Sequence, residues 1–152
     1  GLSPAQNREI PPLDYGQVEQ LKTDFPSLSI ILNGGLNDSE KVKEVLDWAD
    51  GVMIGRAAYQ NPAFLRELEL ALYPGKQLDN FQSILNQYMA YMERELDQGI
   101  RLHEMTRHLF GLFNGLRGAR QYRRHLSEYG RLNGAGLDTF VRACSKVERR
   151  VA

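Results

Sequence analysis

Two short apolar segments, each followed by a glycine turn and separated by one helix, constrain this chain more than any other feature. Leu28–Leu32 ends at the turn Asn33–Gly35, and Gly51–Ile54 ends at the turn Gly55-Arg56. The apolar runs predict buried strands, and their spacing of about 20 residues is typical of right-handed βα units in a parallel sheet. Two strands cannot close a sheet, because open edges and apolar faces would stay exposed. We therefore expect residues 1–73 to be the end of a barrel or open α/β domain with its other strands upstream.

Helices are expected around these strands. Residues Tyr15 to Phe25 carry apolar side chains at three- and four-residue spacing, which predicts a helix that ends before Pro26. Asn37 is the expected N-cap of a second helix, with Glu40 as its reciprocal partner. A third helix is expected to open at Pro62 and to stop at Pro74-Gly75. Its inward-facing residues are predicted to be Phe64, Leu65, Leu68 and Leu72.

The pattern becomes wholly helical after residues 74–80. One amphipathic stripe runs from Phe81 to Leu96 and predicts a helix with a left-handed cap near Gly99. A second stripe consists of Met105, Leu109, Leu112 and Phe113. Further helices are expected from about Gly118 to Tyr129, and from Asp138, as N-cap, through Val147. Residues 74–152 are therefore predicted to form a small helical bundle, and the fold class is α/β followed by all-α.

Composition narrows the class of protein. The 152 residues have zero formal net charge, 42% hydrophobic and 25% charged residues, which is typical of globular domains. We expect no membrane helix, no signal peptide and a cytoplasmic location. Cys144, the one cysteine, allows no internal disulfide or thiolate cluster and is expected in the core. His103 and His108 stand five residues apart, so no metal site is expected.

The two glycine turns are candidates for phosphate binding. Each follows a strand and precedes a helix, which in a parallel barrel places both at the carboxyl-terminal rim, where phosphate sites are common. Glycine lets backbone N–H groups approach a phosphate closely, and Arg56 can add a charge-assisted contact. Asn33 could orient the site through its amide. A simple turn role remains the alternative for each glycine.

A strongly basic stretch lies inside this neutral chain. Residues 101–125 contain six arginines, all three histidines and one acid, Glu104. On a helix from about Gly118, Arg120, Arg123 and Arg124 share a face with Tyr122 interleaved, which suits RNA phosphates and exposed bases. One alternative is an acidic protein partner. The other is pairing within the chain, with carboxylates such as Glu93, Glu95 and Asp97.

Several strings together resemble subfamily A of the bacterial tRNA-dihydrouridine synthases. One string is residues 50–62, which contains the run Gly51-Val52-Met53-Ile54-Gly55-Arg56. The others are residues 1–4, 7–15, 33–35, 106–108, 111–113 and 118–124. The resemblance covers essentially the whole chain. The opening at Gly1, in a loop that enters a helix, suggests a segment of a larger protein, and the resemblance implies that this segment is the C-terminal portion.

The resemblance implies an FMN-binding TIM (β/α)₈ barrel followed by a helical tRNA-binding domain. The implied reaction reduces uridine, at position 20 or 20a in the D-loop of tRNA, to 5,6-dihydrouridine with NADPH as electron donor. By residue-wise carry-over, the FMN phosphate contacts would be Asn33, Gly34, Gly35, Gly55 and Arg56. The tRNA contacts would be Arg8, Arg120 and Arg123.

The resemblance also implies a division of labour. The family's catalytic cysteine belongs to a loop upstream of Gly1, so no catalytic residue is expected in this chain, which alone should be inactive. We expect no metal and no obligate protein partner. Two other functions fit the residues: an independent RNA-binding module, and a different phosphate-binding barrel enzyme.

Overall fold

The computed structural model describes residues 13–148, which fall into two compact units that divide between Ala57 and Ala58. The helices are α1 (Tyr15–Asp24), α2 (Ser39–Leu46), α3 (Arg56–Gln60), α4 (Ala63–Leu72), α5 (Phe81–Asp97), α6 (Leu102–Thr106), α7 (Ala119–Tyr129) and α8 (Leu137–Cys144), with a 3₁₀ turn at Arg107–Leu109. The strands are β1 (Ile31–Asn33) and β2 (Gly51–Met53). No helix in the described part of the chain is long and apolar enough to cross a membrane.

The first unit contains the predicted βα rhythm. Strands β1 and β2 are parallel, with Ile31 opposite Gly51, Leu32 opposite Val52 and Asn33 opposite Met53. Helix α2 connects them and packs against β2. The buried side chains of this unit are Leu32, Leu36, Val42, Val45 and Ala49. The two parallel strands predicted from the glycine-bounded runs are therefore present.

Strand β1 begins three residues later than the apolar run predicts. Asp50 and Lys22 explain the later start, because their side chains form hydrogen bonds with backbone groups just before β1. The Asp50 carboxylate accepts from the Ile30 N–H at 2.8 Å, and the Lys22 ammonium donates to the Leu28 carbonyl at 2.8 Å. Lys22 also pairs with Asp50 at 2.8 Å. These backbone groups are satisfied by side chains and so do not join the ladder.

Two predicted helix caps are wrong. Helix α2 is capped by Asp38, whose side chain accepts from the Glu40 N–H at 2.8 Å, and Asn37 lies one residue outside. Helix α8 begins at Leu137 after Gly136, and Asp138 is already inside it, with its carboxylate 3.6 Å from Arg142. At α2 two adjacent polar residues, Asn37 and Asp38, could each cap the helix, whereas at α8 the true N-cap, Gly136, has no side chain to mark it.

The second unit is helical and has one apolar core. Helices α5 to α8 contribute to it, and Cys144 is buried there as predicted. Helix α5 ends near Gly99, which has the expected left-handed φ of +87°. Helix α4 buries Phe64 and Leu68, whereas Leu65, predicted to face inward, is exposed. The core consists of Leu85, Met92, Leu102, Met105, Phe113, Ala119, Tyr122, Leu126, Phe140, Ala143, Cys144 and Val147.

The second apolar stripe forms a shorter helix than its spacing suggests. Helix α6 stops at Thr106, and the chain continues in a 3₁₀ turn and further tight turns. In these turns Leu112 bonds to the carbonyl of Leu109, and Asn114 bonds to the carbonyl of Gly111. Phe113 still reaches the core, because turns of this kind can bury an apolar residue as well as a helix can.

Candidate cofactor and nucleic-acid sites

The two glycine turns lie side by side at one edge of the sheet. Because Asn33 is opposite Met53, both strands end at the same level. Parallel neighbours are about 4.8 Å apart, so the turn at Gly34-Gly35 lies next to the turn at Gly55. The register therefore places both turns, which contain the five residues assigned to phosphate binding, at one edge of the sheet. The role of these residues stays a prediction.

Glycine is required in the turn after β1. Gly34 and Gly35 have φ of +121° and +61°, which side chains with a Cβ rarely adopt. A Cβ on Gly35 would also come within 2.8 Å of Leu13 Cδ1 and 3.1 Å of the Tyr15 hydroxyl. The turn is therefore packed against the segment that enters α1.

Tyr15 fixes the orientation of this turn. Its hydroxyl donates to the Gly34 carbonyl at 2.5 Å. The carbonyl and the next N–H point in opposite directions across a trans peptide, so the N–H of exposed Gly35 points away from Tyr15. The Lys41 ammonium lies 4.8 Å from the Tyr15 ring centroid and adds positive charge nearby. Sequence reasoning missed both residues, because a contact across 19 positions leaves no local signal.

The second turn is open where the first is packed. Gly55 is exposed, its φ is not positive, and an added Cβ would meet nothing within 4 Å. Neither backbone geometry nor neighbouring atoms therefore demand glycine at this position. Close approach of a ligand to the backbone is a remaining reason for glycine there. Arg56, the next residue, is exposed at the start of α3.

The arrangement suits an anionic oxygen group. It offers a backbone N–H, an open glycine and a guanidinium at one sheet edge, and the exposed Asn33 amide stands at the end of β1. These are the donors that proteins use to hold phosphate. Residues 13–148 contain no group of three or more His, Cys, Asp or Glu side chains arranged to hold a metal ion.

The arginines of α7 form a second candidate site. At 3.6 residues per turn, Arg120, Arg123 and Arg124 fall within an arc of about 100°. Arg120 and Arg124 are exposed, and Arg123 is half-buried. Arg124 pairs with Glu128 at 2.6 Å, and this hydrogen bond raises the pKa of the Arg124 guanidinium. Among residues 13–148, the side chains of Arg120 and Arg123 make no hydrogen bond or ion pair.

Tyr122 does not belong to this face, and its predicted interleaving with the arginines is wrong. It points about 200° away from Arg120 around the helix. Its side chain is fully buried, and its hydroxyl donates to the Leu109 carbonyl at 3.0 Å. Burial raises the pKa of the phenol. The ring packs edge-on against Phe113 and Phe140 and cannot stack on a base.

The intramolecular alternative is not realised in the form predicted. Within the described ranges, Arg117 pairs with Glu148 at 3.3 Å and Arg124 with Glu128, on the same helix. The salt bridges of this part of the chain do not join the basic stretch to Glu93, Glu95 or Asp97. Arg8, the remaining predicted tRNA contact, lies outside the described residues.

Comparison with characterised proteins identifies similar sequences along the whole chain. Residues 1–148 match the family model described as dihydrouridine synthase (Dus). The chain is 48% identical over 151 residues to the tRNA-dihydrouridine(20/20a) synthase of Vibrio cholerae, and this alignment covers 97% of the chain and 45% of the relative. The proteins of the same name from Haemophilus ducreyi and Escherichia coli K12 are each 46% identical. Their alignments cover 94% and 97% of this chain, and 45% and 43% of the relative.

The chain thus spans somewhat less than half the length of the curated relatives it matches. The family match, in contrast, extends over almost every residue of the chain and includes both glycine turns and the arginines of α7. The chain belongs to the dihydrouridine synthase family.

Proposed function

We propose that this chain is the C-terminal part of a cytoplasmic flavin-dependent tRNA-dihydrouridine synthase. The whole enzyme would reduce uridine 20 or 20a of the tRNA D-loop to 5,6-dihydrouridine, with FMN as cofactor and NADPH as electron donor. Family membership and the names of the relatives support this proposal. The observation that carries it is the meeting of two glycine turns at one edge of a parallel sheet.

The FMN phosphate would be held at this edge. Asn33, Gly34, Gly35, Gly55 and Arg56 are the proposed contacts. Tyr15 supports the site because its hydroxyl holds the Gly34–Gly35 peptide in one orientation. The flavin, when bound, supplies the hydride chemistry, and this chain's residues bind and orient its phosphate.

The exposed face of the sheet supports a larger barrel. Parallel register places Ile31, Asn33, Gly51 and Met53 on one face. Ile31 is 56% and Met53 is 54% exposed, whereas Leu32 on the other face is 5% exposed. An apolar face of this kind needs a cover, which further strands of a TM barrel would provide. We place the barrel end in residues 1–73 and the helical tRNA-binding domain in residues 74–152.

The tRNA would be held by arginines. Arg120 and Arg123 are the proposed contacts on α7, with Arg8 as a third. Both α7 arginines lack partners within residues 13–148, so their guanidinium groups can reach phosphates without breaking an existing pair.

The catalytic residue would lie elsewhere in the whole protein. Cys144, the one cysteine of this chain, is only 4% exposed and belongs to the helical core. A proton donor must reach its substrate, which a thiol in this position cannot. We therefore expect no uridine reduction by the 152-residue chain alone, and measurable turnover would contradict this part of the proposal.

Binding of tRNA across a salt series tests the RNA assignment. The chain should bind tRNA, and Arg120→Ala with Arg123→Ala should weaken binding and reduce the salt slope by about one per lost phosphate contact. Arg94→Ala is the matched control, because Arg94 is exposed on α5 and bonds only to its own helix. Equal losses in both variants, or none, would argue against a tRNA site on α7.

Comparing FMN with riboflavin tests the phosphate assignment. The two flavins differ by the phosphate alone, so fluorescence titration should show weak FMN binding that Arg56→Ala abolishes. Riboflavin, which lacks the phosphate, should bind equally to the chain and to the Arg56→Ala variant. Equal binding of both flavins would argue against the phosphate site.

A further inference from the structure

A second cationic cluster surrounds a cavity in the helical unit, apart from the residues assigned above. The cavity has a volume of about 370 Å³. This is within the range of small-ligand clefts. We call it the α6–α7 pocket. Its lining residues are Arg101, His103, Thr106, Arg107, Phe110, Leu126 and Arg131.

The charges around this pocket all have one sign. Arg101, Arg107 and Arg131 line it, and no lining residue is an acid. Three guanidinium groups at one cleft repel one another unless an anion is bound between them. A metal cation is disfavoured for the same reason, whereas a phosphate oxygen would accept from several of these donors.

Two of the arginines are held in place. Arg101 donates to the side-chain oxygen of Asn133 at 3.1 Å, which links the start of α6 to the loop after α7. Arg107 donates through Nε to His108 Nε2 at 2.9 Å. Since Arg107 uses its Nε for this bond, its two terminal nitrogens remain available as donors. Arg131 makes no hydrogen bond or ion pair with any residue between 13 and 148, so its guanidinium is available to a ligand.

The wall of the pocket also contains an unsatisfied polar atom. His103 Nδ1 is buried and has no hydrogen-bond partner among the described residues. Buried polar atoms are nearly always paired, so this nitrogen is an exception in the pocket wall, and a ligand would reach it only after the His103 ring moves. Thr106 does not compensate, because its hydroxyl donates to the Leu102 carbonyl at 3.1 Å.

We propose that the α6–α7 pocket binds a phosphate group, held mainly by Arg101, Arg107 and Arg131. The proposal of phosphate binding rests on the geometry of the pocket alone. The proposal that this phosphate belongs to RNA rests on the proposed function. Leu126 lines the pocket, and Arg123 stands three residues earlier on α7, where side chains are neighbours. The pocket would extend the α7 arginine face and fix a second point of the RNA backbone.

The site can be tested directly by titrating the 152-residue chain with inorganic phosphate. NMR signals of the His103 ring and of the arginine Nε–H groups report the binding. Chloride at equal ionic strength is the reference. Saturable shifts at His103 and Arg131 are expected, and Arg131→Gln should weaken the affinity about tenfold, as for one lost charge-assisted contact. Arg94→Gln, the control, should leave phosphate binding unchanged.

A second arm identifies the source of the phosphate. Arg131→Gln should weaken tRNA binding and reduce the salt slope by about one. Phosphate shifts together with unchanged tRNA binding would keep the pocket but show that it takes a free phosphate. Two results would overturn the pocket: no phosphate-induced shift at any lining residue, or equal weakening of phosphate binding by Arg131→Gln and Arg94→Gln. If tRNA binding were normal in either case, the proposed function would stand. If tRNA did not bind at all, the RNA assignment would fall, and the phosphate titration would still decide the site.

Discussion

At the scale of single residues, close backbone approaches and buried hydroxyls are the features most sensitive to substitution. A glycine in contact with another backbone has no room for a methyl group, and a buried hydroxyl has one specific acceptor. Gly111 and Tyr122 represent these two cases in the helical unit. Both can be tested by equilibrium unfolding.

Gly111→Ala is expected to destabilise the chain. A Cβ at this position would stand 2.0 Å from the Gln60 carbonyl oxygen, so one backbone must move. Overpacking of this kind typically costs about 1–3 kcal/mol, and backbone displacement places the variant at the upper end. Urea denaturation measures the effect. Asn114→Ala, an exposed site three residues later, should change stability little, and equal stability of both variants would show that the contact does not exist.

Tyr122→Phe separates a core role from an RNA role. Loss of the hydroxyl should lower the free energy of unfolding by about 1 kcal/mol, because it removes one of the two hydrogen bonds that the Leu109 carbonyl accepts. Affinity for tRNA should be unchanged at temperatures where the variant is folded. A loss of tRNA affinity without a loss of stability would mean that the ring faces the nucleic acid after all.

At the scale of elements, the link between α1, β1 and β2 depends on one carboxylate. Asp50 accepts from the Ile30 N–H and from the Lys22 ammonium, and Lys22 also donates to the Pro26 and Leu28 carbonyls. This cluster positions the start of β1 next to the start of β2. It therefore contributes to where the two glycine turns meet.

The pH dependence of the first unit should follow Asp50. The backbone bond from Ile30, and then the bond from Lys22, hold the pKa of Asp50 below its ordinary value of 3.8. A carboxylate whose pKa is lower in the folded state stabilises that state at any pH above its unfolded-state pKa. This contribution is lost as the pH falls through the folded-state pKa. Asp50→Asn should thus be less stable than the parent at pH 7 and should lose part of its acid sensitivity. Asp47→Asn is the control, and thermal unfolding of each at neutral and acid pH is the measurement.

At the scale of the whole molecule, the exposed sheet face predicts self-association. Ile31 and Met53 are more than half exposed on neighbouring strands, and Leu28 and Phe25 are exposed nearby in sequence. Open strands with apolar faces tend to pair with other chains. Sedimentation velocity should show concentration-dependent association of the chain that Ile31→Thr with Met53→Thr reduces. A monomer at every concentration, with or without the substitutions, would argue that this face needs no cover.

Local patterns determined much of this protein from sequence alone. The two strands, the longer helices and the buried position of Cys144 follow from apolar spacing, because period and polarity are local properties. The short helix α3 was not predicted. The adjacency of the glycine turns also followed from local pattern, since strands in a βα unit lie parallel and end at the same edge. The resemblance to the dihydrouridine synthases added the family, which the comparisons confirm.

Tertiary structure decided what local pattern could not. Tyr122 stands among the arginines in sequence, and the helical period turns it about 200° from Arg120. The packing of α7 against α8 and against the turns after α6 then buries its ring. Strand β1 is shortened by Lys22 and Asp50, which are 28 residues apart, and the Gly34–Gly35 peptide is oriented by Tyr15 from 19 residues away. The α6–α7 pocket draws on residues from Arg101 to Arg131. Such contacts depend on which surfaces meet after the chain folds, and that free-energy balance is not encoded in any single segment.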